Sequence, residues 1–85
     1  MRAKGLVVFP GGFGTLDEFF EILTLVQTRK VQAIPIVLFG KGFWQRAIRF
    51  DVLVDEGTIS ARDLELFHYV ETAEEAWEAI KNREN

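Results

Sequence analysis

The feature that most limits what this chain can fold into is a pair of short, unbroken apolar runs. Each is stopped by glycine and followed by a helix-like segment. Gly5-Leu-Val-Val-Phe9 ends at Pro10-Gly11-Gly12, and Ile34-Pro-Ile-Val-Leu-Phe39 ends at Gly40-Lys41-Gly42. A strand with one wet face alternates apolar and polar residues, whereas a continuous apolar run suits a strand buried on both faces, as in parallel sheets. Parallel neighbours need a crossover, and the intervening segments have the length and period of helices.

The spacing predicts a helix from about Thr15 to Arg29 and a second from Phe43 to about Glu56, closed by Gly57. A short helix over Ser60 to Leu66 and a last strand over Phe67 to Val70 follow. Thr72 to Arg83 is a terminal helix with Ala73, Ala76, Trp77 and Ile80 on one face. Alternation of this kind is an α/β arrangement with right-handed crossovers. No linker or repeat divides residues 1–85, so the expectation is a single α/β domain. Only three strands are countable, and two-sided burial asks for further strands or a partner subunit, so the chain reads as half of a larger sheet.

Composition narrows the function classes. A chain of 85 residues buries only about 60% of its unfolded surface, so a lone monomer is marginal. The 48% hydrophobic content nevertheless excludes disorder. A net charge of −3 is wrong for neutralising a phosphate backbone or an acidic membrane, so neither nucleic acid nor membrane is an expected partner. With no cysteine and one histidine, thiol chemistry, disulfides and a dedicated metal site are not expected. The lack of cysteine fits the cytoplasm. The apolar run near Met1 is too short for a signal peptide, and no run reaches spanning length.

The candidate chemistry gathers in Phe9-Pro-Gly-Gly-Phe-Gly-Thr-Leu-Asp-Glu18. In an open parallel sheet, ligands sit at the carboxyl ends of strands, where the next helix offers free N–H groups to an anion. Gly11, Gly12 and Gly14 permit close backbone approach, although glycines also simply make turns. Neither standard phosphate device is present. The GK[ST] end of a Walker loop is missing, and Asp17 stands where G-x-G-x-x-G needs its last glycine.

Glu18 has two competing explanations. Thr15 and Glu18 have capping-box spacing, and Thr72 and Glu75 repeat it at a helix start without a glycine loop. At about 100° per residue, Leu16, Phe19, Phe20, Ile22, Leu23 and Val26 form a wide apolar arc. Glu18 lies at its edge, away from the polar group of Asp17, Glu21, Thr24 and Thr28, where partial burial would suit an acid, base or cation stabiliser. An arc this wide also asks for a second apolar contact, such as a homodimer. Lys41 reads as an exposed loop lysine, His68 as an edge-strand histidine, and Trp44 and Trp77 as core.

Pro10-Gly-Gly-Phe-Gly-Thr15 followed by Glu18 resembles the PGGxGTxxE motif of the LOG-like family. These are cytokinin riboside 5'-monophosphate phosphoribohydrolases, also labelled possible lysine decarboxylases. PIVLFGKGFW, DEGTIS and ETAEEAW extend the resemblance over nearly the whole chain, towards the C-terminal portion of the family's bacterial members. The resemblance implies a Rossmann-like fold, a homodimer, and hydrolysis of the N-glycosidic bond of a nucleoside 5'-monophosphate, with no metal or redox cofactor. It implies that Gly11, Gly12, Gly14 and Thr15 hold the 5'-phosphate and ribose, and that Glu18 is the catalytic carboxylate. It also implies a catalytic arginine in a motif upstream of the glycine loop, farther back than Met1.

Overall fold

The computed structural model describes residues 5–83. Three parallel strands, β1 (Leu6–Val8), β2 (Ile36–Phe39) and β3 (Phe67–Val70), pair in the order β1-β2-β3. Val7 stands opposite Val37, and Val37 opposite His68, so alternate residues of all three strands share a face.

One face carries Leu6, Val8, Ile36, Leu38, Phe67 and Tyr69 and is covered by the crossovers. These are α1 (Phe13–Gln27), α2 (Lys41–Ala47), α3 (Phe50–Asp55) and a single 3-10 segment, η1 (Ala61–Leu66). Phe19 of α1 and Trp44 of α2 are wholly buried there, their ring centres 5.6 Å apart. The Trp44 indole N–H donates to the Phe39 carbonyl at 3.1 Å, so its polar edge is satisfied. The other face, with Val7, Val37, Phe39 and Val70, is covered by α4 (Ala73–Arg83) through Ala76, Ala79 and Ile80. The result is a Rossmann-like α/β layering whose two outer strands each keep an open edge among the described residues.

Three details depart from the expected elements. The predicted helix over Phe43 to Glu56 is two helices, broken where Ile48 turns extended at φ −136° and ψ 124°. In one continuous helix Trp44 and Phe50 would point about 120° apart. The break lets Phe50 turn onto the same core, where its ring centre lies 4.7 Å from that of Phe67. Trp77, expected in the core, is 59% exposed, because the smaller Ala76, Ala79 and Ile80 meet the sheet. Ala73, expected on the same face, is also exposed.

The α1 terminus is held by a tight C-terminal turn. Lys30 N–H returns to the Leu25 carbonyl at 2.9 Å, and Arg29 takes a left-handed φ of 62° that glycine more usually supplies. Among the described residues no helix is long and apolar enough to cross a membrane.

Candidate functional site

The glycine loop lies at the carboxyl end of β1 and runs directly into α1. That helix starts at Phe13, two residues earlier than its sequence suggested, with Gly12 at the N-cap and no side-chain cap bond. Leu16 is the first residue whose N–H reaches a helix carbonyl, that of Gly12 at 3.0 Å. The N–H groups of Phe13, Gly14 and Thr15 therefore stand at the open end of a fifteen-residue helix, with no acidic side chain in its first turn.

The glycines divide into two kinds. A Cβ on Gly11 would lie 2.8 Å from the Thr15 Cβ, so Gly11 lets the first turn of α1 fold down over the loop. Gly12 and Gly14 have no atom within 4 Å of a built Cβ and no positive φ. Glycine inside a helix turn costs about 1 kcal/mol relative to alanine. Nothing in the fold of this chain repays that at Gly14, which leaves space for a ligand as the reason for it.

The capping explanation of Glu18 fails. Thr15 is the third residue of α1 rather than its cap, because Gly11 and Gly12 let the chain enter the helix early. The matching pair at α4 does form the box. Glu75 N–H donates to Thr72 Oγ1 at 3.1 Å, and Glu75 Oε1 accepts from Thr72 N–H at 3.2 Å and from Glu71 N–H at 2.6 Å. Glu18 is exposed rather than partly buried, since the neighbouring α1 residues that reach the sheet are Phe19 and, partly, Leu16 and Ile22. Gly11 and Thr15 are half-buried, and Gly12, Gly14 and Glu18 are exposed, all along one open edge.

The second glycine loop differs. Gly40 has φ 95°, which accounts for glycine there, and its backbone lies against Pro10, tying the two loops together. The N-terminus of α2 is already occupied by the chain's own carboxylate, because Lys41 N–H donates to Glu71 Oε2 at 2.9 Å. Lys41 itself is exposed, as expected, and so is His68 on β3.

The largest recess, about 920 Å³, is not at the glycine loop. It opens beside the outer edge of β3, where the break between α2 and α3 leaves Ile48, Phe50 and Phe67 as a floor and Arg46 and Arg49 on the rim. Arg49 is committed to Asp51 at 3.0 Å, a bond that raises the guanidinium pKa and lowers that of the carboxyl. Burial pushes the Tyr69 phenol up in the same recess. A smaller apolar recess of about 140 Å³ lies between α1, α3 and η1, beside Phe20 and Leu23. The glycine loop is thus an open shelf, without walls to enclose a whole ligand.

Sequence reasoning passed over Phe13. It is the first residue of α1 and 92% exposed, beside the free N–H groups. The available signal was an aromatic residue set between glycines, ahead of the apolar arc.

Comparison with known proteins agrees with this layout. A family model described as possible lysine decarboxylase matches residues 1–80. Three similar curated proteins are cytokinin riboside 5'-monophosphate phosphoribohydrolases of Arabidopsis thaliana. LOG7 is 36% identical over 61 residues, covering 69% of this chain and 28% of the relative. LOG2 is 34% identical over 62 residues, with 71% and 29% covered. LOG1 is 30% identical over 86 residues, with 99% and 38% covered. The chain therefore spans between 28% and 38% of the length of these relatives. With its parallel sheet, its glycine loop at a strand's carboxyl end and a family match over nearly its whole length, the chain belongs to the LOG-like possible lysine decarboxylase family.

Proposed function

We propose that the chain carries the phosphate-binding half of a nucleoside 5'-monophosphate N-glycosidase, the activity named for its curated relatives. The observation that carries this reading is Gly14. It sits in the first turn of α1 with open space about it and no conformational need for glycine, beside three free N–H groups. A 5'-phosphate placed there is held by Gly12, Gly14 and Thr15 and by the positive end of the helix. Gly11 keeps Thr15 folded over the loop.

In the reaction the bond from ribose C1' to the base nitrogen breaks, water adds to C1', and the water's proton leaves with the base. The transition state has oxocarbenium character, so a carboxylate near C1' lowers its energy and orients water or ribose. Glu18 lies one turn beyond the phosphate-binding residues and takes that role, with the phosphate as a remote binding handle. No metal or redox cofactor is required by these steps. The working unit is a homodimer in the cytoplasm, supported by the apolar residues of α1 that the chain only partly covers.

Incubation with AMP and release of free base tests the reading. Activity lost in Glu18→Gln and kept in Glu75→Gln supports it, since only the second carboxylate is committed to a cap. A second reading, nucleotide binding without cleavage, is favoured by the exposure of Glu18, which lacks the partly buried setting expected of a tuned acid. Thermal stabilisation by AMP with no base released would select it.

A further inference from the structure

We infer that Phe13 is the residue that distinguishes a nucleotide from a bare sugar phosphate, by stacking on the base. The inference rests on the phosphate site proposed above. Phe13 is the most exposed of the large apolar residues, at 92%, and belongs to neither hydrophobic cluster. The described rings that pair with one another do not include it. Phe9, on the other side of the loop, is 59% exposed but leans on Phe39 with ring centres 5.2 Å apart.

The placement has a plain cause. β1 ends at Val8, so α1 begins beyond the edge of the sheet and no strand reaches its first residue. A phenyl ring left in water forfeits the burial that any covered position would provide. This ring is carried by the same residue that offers the first free N–H of α1, so a ligand that accepts from the backbone also passes the ring. The matching chemistry is an anionic group joined to a flat aromatic face, as in a purine nucleoside monophosphate. Every base has such a face, and stacking on an aromatic side chain is tolerant of base identity.

The test is a titration of the full chain with inorganic phosphate, ribose 5-phosphate and AMP, followed calorimetrically. AMP should bind at least about 5-fold more tightly than ribose 5-phosphate, the lower end of what one stacked base contributes. Phe13→Ala should bring AMP to the ribose 5-phosphate value and leave the two smaller ligands within about twofold. Phe13→Trp should restore the preference. Equal affinity for AMP and ribose 5-phosphate in the unaltered chain overturns the inference while leaving the phosphate site intact. An unchanged ratio in Phe13→Ala overturns it too, including the case where native mass falls and the ring proves to be a subunit contact. Equal weakening of all three ligands makes Phe13 a support of the loop and also overturns it. Failure of the unaltered chain to bind any of the three removes the phosphate site and this inference together.

Discussion

Gly14→Ala separates what the fold needs from what a ligand needs. The added methyl meets nothing within 4 Å, and Gly14 has no positive φ, so the folded state accepts it without strain. Alanine then stabilises α1 by limiting the freedom of the unfolded chain, by about 0.5–1 kcal/mol. For a domain of 85 residues that is a rise in Tm of roughly 2–8 °C. The same methyl stands where a phosphate would approach the N–H groups of the first turn, so AMP affinity should fall about tenfold or more, roughly one lost hydrogen bond to a charged group. Far-ultraviolet circular dichroism on heating gives the first number, and calorimetric titration gives the second. A destabilised variant would show that the fold itself requires glycine here. A stabilised variant with unchanged AMP binding would remove Gly14 from the site, and with it the observation on which the proposed function stands.

Other expected outcomes use the same logic. Gly11→Ala should destabilise by about 1–3 kcal/mol, because the new Cβ collides with the Thr15 side chain; urea denaturation measures it, and a neutral result would mean the loop relaxes freely. Glu75→Ala should cost about 1 kcal/mol through loss of the α4 cap, whereas Glu18→Ala should stay within about 0.5 kcal/mol; equal losses would restore the capping role to Glu18. Arg29→Gly should stabilise by about 0.5–1 kcal/mol by removing a side chain from left-handed backbone; a lower Tm would contradict this. Asp63 accepts from Ser60 N–H at 3.0 Å and from the Gln27 amide at 2.8 Å, which hold its carboxyl below the ordinary range. Its contribution is therefore present above the ordinary carboxylate pKa and lost as pH falls through the lowered value. The stability gap between the unaltered chain and Asp63→Ala should be full at pH 7 and should close in acid, and a gap that widens in acid would refute the assignment.

The glycine loop was legible as a ligand-facing turn because a buried run, glycines and a helical segment in that order leave few alternatives. Glu18 was harder. Thr15 with Glu18 and Thr72 with Glu75 are the same local pattern, yet only the second is a cap. The difference lies in how the chain enters the helix: Gly11 and Gly12 let α1 begin at Phe13, while α4 begins where its cap predicts. Local spacing encodes a cap that is available, and the preceding loop decides whether it is used. Partial burial of Glu18 was likewise read from a wheel, which ranks directions around a helix and cannot tell how far the sheet extends beneath it. The family match, by contrast, rests on residues strung along the whole chain and needed no coordinates.

By itself the sequence determined the α/β class, the three strands, their parallel pairing and the family, because unbroken apolar runs can be buried in few ways. Tertiary structure alone decided where α1 starts, that Phe43 to Glu56 breaks at Ile48, and which tryptophan is covered. Each of those is settled by what stands opposite the residue across the sheet. Trp44 has Phe19 and the Phe39 carbonyl to meet, whereas the face above Trp77 is already filled by Ala76, Ala79 and Ile80.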